Sequence, residues 1–125
     1  MRILIADDHQ IVRSRVCNYL RLWDAAVTCA EAVNGRQAIE VAVKFDPTLV
    51  IMDITMPVLG GIEAAIELKK IMPKVPILFF SMHDGQHLTN EVHRTGAQGF
   101  VVKQRAGQSL IPAIQALARG GTYFS

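Results

Sequence analysis

Asp7, Asp8 and Asp53, the hydroxyl of Ser81 and the ammonium of Lys103 each follow directly on, or close, a short apolar run. If those runs are strands of one sheet, three carboxylates, a hydroxyl and a cation share a rim. Carboxylates brought that close repel by roughly 4 kcal/mol per pair at an effective dielectric of 20, so such a cluster holds a cation or shares a proton. All-oxygen ligands suit Mg²⁺, with Mn²⁺ as the alternative. A carboxylate beside a divalent ion can attack a phosphoryl group, because the metal and an ammonium neutralise the charge on the transferring oxygens. Asp53 is the candidate nucleophile, Lys103 the ammonium, and Ser81 a donor to a phosphoryl oxygen once one is present.

These residues need a scaffold that delivers them from four places in the chain. Apolar runs at residues 2–6, 26–30, 48–53, 76–80 and 99–102 read as strands. Three lack period-two alternation, which points to a parallel sheet covered on both faces. Amphipathic stretches lie between them. Ile11, Val12, Val16, Tyr19 and Leu20 are expected on one helical face, and Ala38, Ile39, Ala42 and Val43 on the next. Ile62, Ala65, Ile66 and Leu68 mark a third helix that Pro73 stops. Residues 84–95 are more polar, anchored by Leu88 and Val92. The fifth helix carries Leu110, Ile111, Ile114, Leu117 and Ala118, starting near Gly107 or Ser109, with Pro112 in its first turn and Gly120-Gly121 after its end. Five β-α repeats imply a doubly wound five-stranded parallel sheet, whose ligands bind beyond the carboxyl ends of the strands. That is the rim the five polar side chains occupy.

A length of 125 residues fits one domain, 1–125. Half the residues are hydrophobic and no apolar run approaches the roughly 18 needed to span a bilayer, so a soluble, non-membrane, cytoplasmic protein is expected. The opening Met1-Arg2-Ile3-Leu4-Ile5 runs straight into two acids, unlike a secretion signal. The net charge of +2 comes from dispersed residues without a basic block, which argues against direct DNA binding by this segment. Cys17 and Cys29 form no C-x-x-C pair, and are expected to be buried or half-buried free thiols.

Asp7-Asp8-His9, Met52-Asp53-Ile54-Thr55-Met56-Pro57, Gly60-Gly61-Ile62-Glu63, Phe80-Ser81-Met82-His83, Gly96-Ala97 and Gly99-Phe100-Val101-Val102-Lys103 occur in that order. Together they resemble the receiver domain of bacterial two-component response regulators, over essentially the whole chain. Asp-Asp-His, Ser-Met-His-Asp and the ending Ala118-Arg-Gly-Gly-Thr-Tyr-Phe-Ser125 are most similar to the NarL/FixJ (LuxR-type) branch. The resemblance implies the (βα)5 flavodoxin-like receiver fold, with Asp53 as phosphoacceptor, Asp8 as a direct Mg²⁺ ligand, Asp7 as a ligand largely through water and the Thr55 backbone carbonyl completing the protein ligands. It makes Ser81 and Phe100 the switch pair, Lys103 the phosphate-binding cation, and Thr55 and His83 the side chains that tune phosphoryl lifetime. It further implies a sensor histidine kinase as donor, a phosphorylation-dependent homodimer, and transcriptional output through a C-terminal helix-turn-helix domain beyond these residues. Such a chain is not an enzyme beyond its own phosphoryl transfer and autodephosphorylation.

Two positions depart from the family's commonest pattern. Gln104 follows Lys103 where many receivers have a cis proline, and a cis bond to a non-proline costs about 3 to 4 kcal/mol. Phe100 stands where tyrosine is frequent, so its switching rests on packing without a hydroxyl. A haloacid-dehalogenase-type phosphohydrolase is the enzymatic alternative, yet it would need a second acid where Thr55 stands; a single-domain receiver acting through protein partners is the other. His83 and His87 have helical metal-pair spacing but no H-E-x-x-H context, His9 reads as a first-turn helix residue, and Gly60-Gly61 as a turn.

Overall fold

A computed structural model describes residues 1–83 and 88–124. Strand β1 (Arg2–Ala6) leads into α1 (Gln10–Trp23), β2 (Thr28–Ala32), α2 (Gly35–Phe45), β3 (Leu49–Met52), α3 (Gly61–Ile71), β4 (Ile77–Ser81), α4 (Thr89–Thr95), β5 (Gly99–Val102), α5 (Ala106–Ala118) and β6 (Tyr123–Phe124). A short 3₁₀ turn, Lys103–Arg105, joins β5 to α5. The sheet is parallel throughout in the order β2-β1-β3-β4-β5-β6. The chain runs one way from β1 to β2 and the other way from β3 onward, which leaves a crevice beyond the carboxyl ends of β1 and β3.

Alternate residues of the central strands feed two separate cores, as a sheet covered on both faces requires. Leu4, Val50, Met52, Phe79 and Phe100 pack with Ala38 and Ala42 of α2, Ala64, Ala65 and Leu68 of α3, and Val92 of α4. Ile3, Ile5, Ile51, Leu78 and Val101 pack instead with Val16 and Leu20 of α1 and Leu110, Ile114 and Leu117 of α5. Among the described residues no helix is long and apolar enough to cross a membrane.

Several expectations need correction. The sheet has six strands, not five: Tyr123 and Phe124 pair with Gly99 and Phe100. A two-residue strand is too short to produce a pattern, and the preceding glycines read as an ending. The second strand is displaced toward Ala32 from the expected 26–30. Pro112 is the seventh residue of α5, beyond its first turn; its missing N–H deprives the Gln108 carbonyl of a helical donor, and Gln108 faces solvent. Ile11 is exposed, because it lies about 140° around the helix from Val16 at 3.6 residues per turn. Cys17 and Cys29 are half-buried as expected but not free: they are joined as a disulfide between α1 and β2, with Cα atoms 6.2 Å apart. A spacing of twelve residues carries no distance until helix and strand are docked. Residues 84–87, including His87 and the start expected for the fourth helix, lie outside the described residues, as does Ser125.

Candidate functional site

β1 ends at Ala6, and the Asp7 backbone N–H donates to the Ala32 carbonyl (3.0 Å), extending the strand's grip on its neighbour. The Asp7 side chain turns back over the start of α1, where Oδ1 accepts from the His9 backbone N–H (2.9 Å). His9 is the N-cap of α1 and not a first-turn residue. Its Nδ1 lies 3.1 Å from Asp7 Oδ1 and 3.2 Å from Asp8 Oδ1, so its ring sits inside the acid cluster. The sequence reading missed this; the signal was its adjacency to Asp7-Asp8.

β3 delivers Asp53. Its backbone N–H donates to the Ala6 carbonyl (2.9 Å), which brings the carboxylate beside Asp7, and Oδ1 accepts from the Ile54 N–H (2.8 Å). The Gly61 N–H returns to the Ile54 carbonyl (2.8 Å), and a Cβ on Gly61 would collide with the Asp53 carbonyl oxygen. Glycine is therefore required for α3 to start this close to Asp53, with Gly60 as its N-cap. Between them Val58 takes φ 69° while the Leu59 N–H donates to the Pro57 carbonyl (2.7 Å), a γ-turn of the rare, strained hand. A β-branched residue in that region is strained, and Val58 is 79% exposed, with no burial to compensate.

Lys103 follows β5 and reaches across the crevice. Its Nζ donates to Asp7 Oδ2 (2.7 Å) and Asp53 Oδ2 (3.3 Å), and lies 5.9 Å from the Phe80 ring centre. Asp7 and Asp53 are 2% and 6% exposed, and this ammonium supplies the counter-charge that two adjacent buried carboxylates need. Burial pushes the Asp53 carboxyl above its usual range; the Lys103 charge opposes this and the Asp7 charge adds to it. Burial alone would lower Lys103, but its hydrogen bond to Asp7 and the charges of Asp53 and Asp7 together hold it above the usual lysine range. No cis peptide bond occurs among the described residues, so Lys103-Gln104 is trans.

Asp8 is exposed, unlike Asp7. Ligand atoms of Asp7, Asp8, His9 and Asp53 all lie within 4.8 Å of one another. Carboxylates at this separation, one facing solvent, fit a hard divalent cation better than a soft one. Ser81 is buried at the end of β4, in register with Val102, and its Oγ accepts from the His83 N–H (3.3 Å). Phe100 is buried in the core beside Phe79. Thr55 and His83 are exposed at the rim, two residues beyond Asp53 and Ser81. The structure thus gathers Asp7, Asp8, Asp53 and Lys103 into one cluster, with Ser81 at a neighbouring strand end.

Comparison with known proteins points the same way. The sequence model described as "Response regulator receiver domain" matches residues 3–115. The transcriptional regulatory protein DegU of Brevibacillus brevis is 35% identical over 123 residues, which cover 98% of this chain and 52% of DegU. The chain spans about half the length of the curated relatives it matches. Among solved structures, a LuxR-family two-component response regulator from Aurantimonas superimposes with a TM-score of 0.86 at 33% identity, covering 98% of this chain and 87% of that one. The isolated receiver domain of RcsB from Salmonella enterica serovar Typhimurium, solved with the phosphomimetic BeF3-, gives 0.88 at 27% identity, covering 100% and 93%.

Proposed function

Because this chain belongs to the response regulator receiver domain family, we propose that Asp53 accepts a phosphoryl group from the phosphohistidine of a sensor kinase and that the modified domain switches a transcriptional output. The observation that carries this is the Asp53 carboxylate itself: buried at a strand end, beside a second carboxylate, with a lysine ammonium on its Oδ2. An Asp53 oxygen forms the new bond to phosphorus as the bond to the donor imidazole nitrogen breaks, and that nitrogen keeps the electron pair. The deprotonated carboxylate is the nucleophile, so the Lys103 charge, which lowers the Asp53 carboxyl, favours the reactive form against burial, which raises it.

Asp8, Asp7, Asp53 and the Thr55 carbonyl are the residues that would hold Mg²⁺, which supplies charge neutralisation for the transferring oxygens. Asp7 is already committed to His9 and Lys103 while Asp8 faces solvent, which supports Asp8 as the direct ligand and Asp7 as one acting through water. The phosphoryl group adds about 1.5 to 2 negative charges, draws the Ser81 hydroxyl and Lys103 toward it, and frees space for Phe100 to repack around α4, β5 and α5. Thr55 and His83, at the exposed edge, border the path of the water that ends the signal.

Incubation with Mg²⁺ and acetyl phosphate, followed by intact mass and peptide mapping, should show one phosphoryl adduct on the Asp53 peptide, lost in Asp53→Asn. No adduct, or one that survives the substitution, sinks the reading. Self-association should rise in sedimentation velocity when a beryllofluoride phosphoryl mimic is added; the same monomer with and without it counts against a phosphorylation-dependent dimer.

A further inference from the structure

Asp7 and Asp8 are joined by one planar peptide group, so whatever fixes that plane fixes the bases of both carboxylate side chains. The Asp7 N–H is held by the Ala32 carbonyl at the end of β2. The Asp7 carbonyl accepts a hydrogen bond from a guanidinium N–H of Arg13 at 2.7 Å, and Arg13 Nε donates to Glu31 Oε1 at 2.8 Å. Glu31 is the residue before Ala32. Both peptide groups of Asp7 are thus tied to the last two residues of β2, one directly and one through Arg13. Arg13 is 9% exposed, on the face of α1 that otherwise buries Val16 and Leu20. A charged residue inside an apolar stripe is costly to bury unless it is paired.

We propose that Arg13 is a positioning residue for the divalent-cation site: it clamps the Asp7-Asp8 peptide from the helix side and so sets the approach of both carboxylates. This rests on the reading of Asp7 and Asp8 as metal ligands. Two effects of the guanidinium have opposite signs. Its charge repels a cation, while its hydrogen bond holds the ligands in place. Glu31 lies against Nε and compensates the charge, so the geometric effect dominates. Arginine fits because its rigid fork serves a carbonyl and a carboxylate at once, whereas a lysine ammonium on a flexible stem cannot hold that pair of directions.

The test is Mn²⁺ binding, with free ion measured by electron paramagnetic resonance, alongside thermal unfolding and the Mg²⁺ dependence of Asp53 phosphorylation. Arg13→Met should raise the Mn²⁺ Kd about 10-fold, the lower end of what outer-shell partners of metal ligands supply. Arg13→Lys should fall between the two. The Mg²⁺ concentration for half-maximal phosphorylation should rise by the same factor, with the rate at saturating Mg²⁺ within about two-fold of the unsubstituted chain. Tighter or unchanged Mn²⁺ binding in Arg13→Met, with only the melting temperature lowered, overturns the proposal in favour of a purely structural ion pair. Should Arg13→Met fail to fold, Arg13→Lys and Arg13→Gln decide by the same criteria. An unsubstituted chain that binds Mn²⁺ but forms no Asp53 adduct removes the phosphoacceptor reading and leaves the isotherms as the test of Arg13; one that binds no Mn²⁺ overturns both.

Discussion

Two lysines are drawn into this fold at opposite ends of the parallel strands, and their surroundings differ in kind. Lys103, at the carboxyl rim, lies between Asp7 and Asp53, and its ammonium is held above the usual range despite burial. Lys69, near the amino ends of β4 and β5, donates to the Val75 carbonyl (2.7 Å) and to Gln98 Oε1 (3.1 Å), and burial lowers it. Gln98 Oε1 also accepts from the Ile77 N–H (3.0 Å), so Lys69 ties α3 to the starts of two strands. The same side chain becomes the counter-charge of an acid cluster when its partners are carboxylates, and a structural strut when they are neutral oxygens. Burial of a lysine is therefore not itself the mark of a site. The charge of its partners is.

Removing each ammonium should break this comparison in different ways. Lys103→Met leaves Asp7 and Asp53 buried without a counter-charge and should cost about 3 to 5 kcal/mol in urea unfolding without divalent ions. Millimolar Mg²⁺ should recover part of that loss. Lys69→Met leaves only neutral acceptors behind and should cost about 1 to 2 kcal/mol, with no response to Mg²⁺. Equal losses with equal Mg²⁺ responses would dissolve the distinction between the two ends.

A smaller effect tests whether strain collects at the carboxyl rim. Val58→Gly relieves the positive φ in the loop behind Asp53 and should raise stability by about 1 kcal/mol net of the entropy glycine adds to the unfolded chain. A loss of stability would mean that the Val58 side chain contributes more than its backbone conformation costs.

The smallest effect is in alkaline pH dependence, where the two lysines carry opposite signs. The raised Lys103 contributes stability that is fully present below the unfolded value of 10.5 and is lost as pH rises through its folded value. For the lowered Lys69 the unfolded state binds more protons between the folded value and 10.5, so stability rises with pH across that window. The difference in unfolding free energy between the unsubstituted chain and Lys69→Met should grow from pH 8 to 10.5. That for Lys103→Met should stay level there and shrink above it. Parallel slopes would contradict the assignment.

Much of the carboxyl rim was legible because a parallel sheet turns sequence position into spatial position. An acid that ends one apolar run must lie near an acid that ends a neighbouring one, and Asp7, Asp53 and Lys103 meet as that rule requires. Arg13 was not legible, although it left a trace as a basic residue three positions before Val16 on the buried face. Its partners come from β2 and from a backbone carbonyl, which no side-chain pattern encodes. Lys69 and Gln98 were equally silent, since 29 residues separate them and each alone reads as surface. β6 was missed because two residues cannot show a period.

The order of apolar runs and the residues that end them determined, by themselves, the parallel layered architecture and the chemistry of the rim. Both follow from local periodicity and from the fixed direction of a strand. Tertiary structure alone decided which buried charges face opposite charges and which face carbonyls, that Cys17 meets Cys29, and that Arg13 reaches the Asp7 carbonyl. Those outcomes depend on how α1 and α3 dock against the sheet to within about an ångström. The strength and direction of a hydrogen bond change over that distance, while hydrophobic patterning does not resolve it.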